Sequence, residues 1–306
     1  MTVKPIILDV DTGVDDALAI AYAVRSPELE VLGLTTTFGN ITVEEATRNS
    51  LVVLEKLGRS DVPVYQGSEQ PLNRTKDEYP RQIHGEHGLG EAVFSAPAAS
   101  KGNAHAVDFI IETVRGRKNE VTLVFVGPLT NLAHAVRKDP EIVGLVDRVV
   151  IMGGAARRRG NVSQYAEANI YSDPEAADVV FRSGLPITLV GLDVTMQTLL
   201  PMSQMPVWRA KDAELGGFFA DMTEFYIRFY ESAYPGIGGC GLHDPLAIGA
   251  VVKPELLETE PMRLVVELSG EELARTREVP GEHPNVDVCV KVDADGFLKH
   301  FLSRVI

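Results

Sequence analysis

Apolar, β-branched runs alternate with segments of helical period along most of the chain, and this alternation limits the fold more than any other feature. Residues 5–9 read as a buried strand, and 14–25 as a helix with Ala and Leu on its inner face. A strand at 30–37, a helix near 42–57 and a short strand at 62–66 follow. A stretch rich in Gly, Pro and polar residues runs from 67 to about 103. The pattern then resumes with a helix near 104–115, a strand at 121–126 and Pro128 where the next helix would begin. A strand at 147–152, a helix from about 173 to 183 and a strand at 186–190 continue it. Strands that are apolar along their length need cover on both faces, and intervening helices supply both that cover and parallel crossovers. The expected fold is α/β: a mostly parallel central sheet flanked by helices. Residues 262–268 and 286–292 read as later strands paired away from that sheet, so the C-terminal third is expected to decorate a single domain. No repeat, linker or low-complexity tract divides the 306 residues, and their 45% apolar content supplies a sizeable core. The 67–103 stretch is long for a compact domain, which favours a functional loop.

Charge and cysteine usage narrow the class of partner. A formal net charge of −14 opposes phosphate over much of the surface, so nucleic acid is not an expected partner. A neutral small molecule, or a cation held by carboxylates, remains compatible. Near the N-terminus, Ile6-Ile7-Leu8 is far too short for a signal peptide or a membrane span. Cys240 and Cys289 are the only cysteines, which makes no disulfide framework and fits a reduced, cytoplasmic protein.

In open parallel sheets, ligands bind beyond the carboxyl ends of the strands. Asp9–Asp16, Asn40, Val126 and Met152 all fall at such ends. The first of these stretches, Asp9-Val10-Asp11-Thr12-Gly13-Val14-Asp15-Asp16, carries four carboxylates in eight residues. Their repulsion calls for a compensating cation or hydrogen bonds, and oxygen ligands of this kind suit Ca²⁺ or Mg²⁺. Gly13 is expected to allow a sharp turn that folds Asp15 and Asp16 back toward Asp11. Acids also stabilise a helix N-terminus, but a cap needs only one of them. A strand followed by Asp-x-Asp also opens phosphatases of the haloacid dehalogenase type, with Asp9 as nucleophile and Mg²⁺ as metal. This segment alone does not separate the two readings.

Further motifs do. Gly127-Pro-Leu-Thr-Asn131, Ile151-Met-Gly-Gly154, Gly160-Asn161, Ala166-Glu-Ala-Asn-Ile-Tyr-Ser-Asp-Pro-Glu-Ala-Ala177 and His243-Asp-Pro245 follow the acidic stretch in order. Together these resemble the inosine–uridine-preferring nucleoside hydrolase family over residues 6–250. The resemblance implies hydrolysis of the N-glycosidic bond of a purine or pyrimidine ribonucleoside, with a tightly bound Ca²⁺. It assigns the metal to Asp11, Asp16, Asp244 and the Val126 carbonyl, where the family often has Thr. It assigns the ribose to Asp15, Asn161, Glu167 and Asn169, with Asn40 and Met152 beside them. Asp9 becomes an orienting residue. Ala168 departs from the family's usual Phe and opens the surroundings of the sugar. Asp11 is the implied general base toward a calcium-held water, and His243, with an ordinary pKa near 6.5, the implied proton donor to the leaving base. The family also implies a homodimer or homotetramer.

Other features are less pointed. His84 and His87 in His-Gly-Glu-His-Gly-Leu-Gly lie among glycines that oppose a zinc-protease helix, and His84 is the better candidate for contact with the base. Tyr226, Tyr230 and Tyr234 share one face of a presumed helix 218–234, as core aromatics or as a lid hinged at the glycines that follow. Trp208 is expected to pack, and Arg157-Arg158-Arg159 to be solvated. The remaining alternatives are the phosphatase and a non-catalytic nucleoside binder. The residues leave base specificity open.

Overall fold

The computed structural model describes residues 3–306. Its strands in chain order are β1 (Lys4–Val10), β2 (Leu29–Thr36), β3 (Val64–Gln66), β4 (Thr122–Phe125), β5 (Arg148–Met152) and β6 (Ile187–Val190), then β7 (Leu199–Pro201), β8 (Gly239–Gly241), β9 (Leu257–Met262), β10 (Leu264–Val266), β11 (Thr276–Glu278) and β12 (Val286–Val292). The central sheet has the order β3-β2-β1-β4-β5-β6-β12-β9. Its neighbours pair in parallel except β9, which runs antiparallel to β12 at the edge. From β1 the chain steps outward through β2 to β3, then returns to β4 on the other side of β1. That reversal opens a crevice beyond the carboxyl ends of β1 and β4, the natural ligand position in an open α/β sheet.

Alternate side chains of β1 feed two separate cores, which is why Ile6, Ile7, Leu8 and Val10 are all apolar. Ile6, Leu8 and Val10 pack into the core that holds the helices Val14–Val24 and His243–Val252. Ile7 points the other way, into the core built with the helices Ala106–Gly116 and Thr130–Lys138. All four are fully buried, each contributing roughly 1.5–3 kcal/mol by removal from water.

The expected alternation is present, with ends shifted by a residue or two. One expectation is corrected. Residues 286–292 do not pair away from the main sheet: Val286–Val288 line up in parallel with Ile187–Leu189, extending the sheet beyond β6. Val286, Val288 and Cys289 are buried there, while Asp287 and Lys291 face solvent, so the alternation marks a strand near a sheet edge rather than a detached hairpin. The decoration is β10 with β11, an antiparallel ribbon. The 67–103 stretch contains one short helix, Arg81–His84. The helix His243–Val252 gave no periodic signal because it is buried on nearly every side. No helix among the described residues is long and apolar enough to cross a membrane.

Asn131 fastens the switch point. Its Nδ2 donates to Asp9 Oδ2 at 2.8 Å and to the Thr36 carbonyl at 3.0 Å, while its Oδ1 accepts from Ser68 N and Oγ, each at 2.9 Å. Gly67 has to be glycine at this point, since a Cβ would lie 2.3 Å from Asn131 Oδ1. Asn131→Leu leaves several buried polar groups unpaired. It is expected to lower the unfolding free energy by roughly 2–4 kcal/mol in urea denaturation; a loss under ~0.5 kcal/mol would show that the fastening is dispensable.

Candidate active site

Beyond β1 and β4 lies a cleft of about 490 Å³. β1 delivers Asp11 to its floor, and the first turn of the helix Val14–Val24 delivers Asp15, with Asp16 buried just behind. The ribbon of β7 and β8 aims the start of the helix His243–Val252, and so His243 and Asp244, at the same place. One carboxylate oxygen from each of Asp15, Asp16 and Asp244 lies within 4.8 Å of the other two.

The loop is held by its own acids. Asp16 Oδ1 accepts from Asp11 N at 3.0 Å, and Asp16 Oδ2 from Gly13 N at 2.9 Å and Asn40 Nδ2 at 3.1 Å. Asp11 Oδ2 accepts from Asn40 N at 2.7 Å. Gly13 has an ordinary φ of −89°, so the expected turn is not what excludes a side chain. Close approach does so: a Cβ would sit 2.3 Å from His84 Nδ1. Gly39 likewise gives its space to Asp11, whose Oδ2 would be 2.0 Å from a Cβ there.

Burial pushes the pKa of Asp11, Asp15, Asp16 and Asp244 upward, Asp15 to about 8, and repulsion among them adds to the effect for Asp11, Asp15 and Asp244. Asp11 Oδ1 and Asp15 Oδ1 are buried without any hydrogen-bond partner. Oxygen-only donors, mutual repulsion and orphaned carboxylate oxygens fit a hard divalent cation. The tight triad contains Asp15, for which the resemblance implies a sugar contact, and has Asp11 beside it rather than in it. The Val126 carbonyl accepts from Asn169 Nδ2 at 2.6 Å, leaving it one further lone pair.

Asn40, His84, Met152, Asn161, Glu167 and Asn169 all line the cleft. Several already serve the scaffold. Glu167 spends both carboxylate oxygens on backbone N–H groups, of Asn169 through Oε1 and of Gly154 and Ile170 through Oε2, and so caps the short helix Ala168–Ser172. Asn161 Oδ1 accepts from Ala168 N at 3.0 Å. Asn169 Nδ2 also approaches the Met152 carbonyl at 3.2 Å.

Both histidines depart from ordinary behaviour. Burial lowers the pKa of His243 to about 4 and that of His84 to about 3, so each is neutral near pH 7. The expectation of a His243 titrating near 6.5 is corrected accordingly. His84 Nδ1 accepts from Val14 N at 3.2 Å, which places its proton on Nε2, and its 3.9 Å approach to Asp15 is therefore no ion pair. His87 is exposed.

The sequence left the tyrosines unresolved. Tyr226 and Tyr230 are both core aromatics and cleft residues, 3% and 5% exposed. Tyr226 Oη donates to Asp15 Oδ2 at 3.3 Å and lies 3.5 Å from Tyr230 Oη. Tyr230 Oη bonds His243 Nε2, and His243 Nδ1 lies 2.7 Å from Thr195 Oγ1. A continuous chain thus joins Thr195, His243, Tyr230, Tyr226 and Asp15. The four-residue spacing of the tyrosines signalled a shared face; nothing in the sequence pointed to Thr195. Trp208 is buried in the core, and Arg157 pairs with Glu260 at 2.8 Å.

Asp9 does not line the cleft. It is fully buried and accepts from Thr35 Oγ1 at 2.6 Å and from Asn131. A nucleophile must reach its substrate, so the phosphatase reading falls.

Fold and cleft define a small-molecule site on a parallel α/β sheet, with an acidic centre suited to a divalent ion. Comparison with known proteins narrows that class. Residues 6–299 match the family described as inosine-uridine preferring nucleoside hydrolase. The chain is 38% identical to Uridine nucleosidase 1 of Arabidopsis thaliana, across 99% of this chain and 93% of that protein. It is also 38% identical to the pyrimidine-specific ribonucleoside hydrolase RihA of Escherichia coli O127:H6, across 98% of each. A purine-preferring ribonucleoside hydrolase from Gardnerella vaginalis has the same fold with a TM-score of 0.96 at 42% identity, across 99% of this chain and 98% of that one. The chain belongs to the inosine–uridine-preferring nucleoside hydrolase family, and it is an enzyme that hydrolyses N-glycosidic bonds.

A divalent ion on the acid cluster binds the folded state, so it should raise the melting temperature. At a hundredfold excess over Kd the stabilisation is about 2.7 kcal/mol. Thermal denaturation with calcium and with chelator measures it, and Asp244→Ala should erase the difference. An undiminished shift in that variant would place the ion elsewhere.

Proposed function

We propose that this single-domain enzyme uses water to cleave ribonucleosides into ribose and free base, with Ca²⁺ as its resident ion. The observation that carries this reading is the meeting of Asp11, Asp15, Asp16 and Asp244 with Asn40, Asn161 and Asn169 around one cleft large enough for a nucleoside. Asp11, Asp16, Asp244 and the Val126 carbonyl would hold the calcium. When bound, it supplies positive charge that acidifies a water molecule and anchors a sugar diol.

The chain's own groups do the rest. Breaking the bond from C1′ to the base leaves positive charge on the ribose, and the acidic floor stabilises that charge without reorganising. Asp15, Asn161, Glu167 and Asn169, with Asn40 and Met152 beside them, hold the sugar hydroxyls and fix the reacting carbon. Asp11 Oδ1 takes the proton of the attacking water, while the Asn40 N–H keeps the other oxygen in place. On the leaving-group side, His243 in its protonated form gives its proton to the base and returns to the neutral imidazole that burial favours, its ring held by Tyr230 and Thr195, and His84 contacts the base.

The relatives divide between uridine, pyrimidine and purine preference, so this chain's range includes purine or pyrimidine ribonucleosides. We place it in the cytoplasm as a homodimer or homotetramer without nucleic-acid or membrane partners, a setting supported by the buried free thiols of Cys240 and Cys289 and the net charge of −14. Free ribose should be released from at least one of inosine, adenosine, guanosine, uridine and cytidine, and chelation should stop the release. Asp11→Asn should lower kcat by roughly 10²- to 10⁴-fold while calorimetry still detects ribose binding. Unchanged turnover in that variant would remove Asp11 as the base.

A further inference from the structure

The two walls of the cleft are rooted on opposite faces of the sheet. Tyr226, Tyr230 and Leu242, which precedes His243, pack into the core that also takes Leu8 and Val10. Ala166 and Ile170, which bracket Glu167, Ala168 and Asn169, pack into the other core with Ile7. Asp11, just past the end of β1, lies on the floor between the walls.

The stereochemistry of a ribonucleoside then fixes which wall meets which end of it. In the ribose ring C2′ and C3′ lie between C1′ and C4′, and the base and the 5′ carbon stand on the face opposite the two hydroxyls. With the diol against the acidic floor and the base toward His243, the 5′ carbon projects to the wall formed by residues 161–172.

That wall becomes apolar toward its mouth. Glu167 is buried, with both carboxylate oxygens accepting from backbone N–H groups. Asn161 Oδ1 accepts from Ala168 N, and Asn169 Nδ2 donates to the Val126 carbonyl. Beside these engaged groups stands Ala168, half-buried and with only a methyl side chain. Val162 and Tyr171, 49% and 43% exposed, come from separate turns of the chain and line the same cleft. A 5′-hydroxyl can still share the lone pairs of Glu167. A larger 5′ group would meet the methyl of Ala168, the branched side chain of Val162 and the ring of Tyr171.

Charge and polarisability decide what kind of group fits. Among the described residues, Lys76 is the one lysine or arginine that lines the cleft, against Asp11, Asp15, Glu78, Glu167 and Asp244. A 5′-phosphate therefore enters a field of its own sign. An alkyl thioether carries no charge, removes apolar surface from water, and brings a sulfur that makes favourable contacts with an aromatic ring such as that of Tyr171.

Building on the nucleoside-hydrolase reading, we propose that Val162, Ala168 and Tyr171 form a subsite for an apolar 5′ substituent, and that the enzyme also hydrolyses 5′-deoxy-5′-alkylthio ribonucleosides. Water adds at C1′, the bond from C1′ to the base nitrogen breaks, and the base leaves with a proton; the product is a 5-alkylthioribose whose thioether is untouched. Steady-state kinetics with inosine, uridine, their 5′-deoxy-5′-methylthio analogues and their 5′-monophosphates test it in the wild type, Ala168→Phe and Tyr171→Ala. For whichever base the wild type accepts, kcat/KM on the methylthio analogue should lie within about tenfold of the parent nucleoside, with the 5′-phosphate at least about a hundredfold poorer. The ratio of methylthio analogue to parent should fall roughly 10- to 100-fold in Ala168→Phe, which fills the recess, and about three- to tenfold in Tyr171→Ala, which removes the ring. A wild type that cleaves a nucleoside but shows a larger deficit on its methylthio analogue overturns the proposal and leaves the nucleoside-hydrolase reading intact. A ratio unchanged in both variants, or a 5′-phosphate cleaved as well as the thioether, overturns it too. Release of base from none of these compounds overturns the functional reading itself, and the subsite with it.

Discussion

Mutual repulsion among buried acids is the constraint to which the rest of the molecule answers. Asp11, Asp15, Asp16 and Asp244 are 6% exposed or less and crowd one end of a largely apolar, buried sheet. Left as anions without a partner, they would oppose the fold that gathers them, since both desolvation and like charge favour their protonated forms. Backbone N–H groups and Asn40 satisfy some of their oxygens, but Asp11 Oδ1 and Asp15 Oδ1 remain bare. A divalent ion would resolve the conflict, and the same arrangement would then suit the proposed reaction, in which positive charge develops on a sugar.

The sheet topology explains why the conflict can be sustained. Placing β1 and β4 side by side with their connections on opposite sides opens a crevice where no helix covers the strand ends. Asp9 and Asn131 tie the crevice together beneath the acids, and the β7–β8 ribbon fixes the entry of the buried helix that carries His243 and Asp244. Close-packed glycines at 13 and 39 give the room that the side chains need. Rigidity at these points lets charged groups stay close without the loop relaxing away from them.

Much of this was legible in the residues. Apolar runs separated by helical periods specified a parallel sheet, because a strand buried on both faces has few other solutions. The acidic stretch after β1 announced itself by density alone, and the order of the later motifs pointed to the second wall of the cleft. Less local properties were hidden. Val286–Val292 alternates as an edge strand does, and only its pairing with β6 shows which sheet it joins. The histidine pKa values depend on burial, which composition does not reveal. Tyr230 and Thr195 gain significance only from meeting His243, and Lys76 sits in a stretch whose sequence shows loop character but not which side chain turns inward.

The central claim is that one cation sits among these acids, and X-ray crystallography with anomalous scattering at calcium tests it most directly. Crystals grown with calcium should show a single anomalous peak per chain in the cleft, bonded to Asp16, Asp244 and Asp11 at about 2.3–2.6 Å. A cleft with no such peak at saturating calcium, or a peak bonded to other residues, would contradict the account.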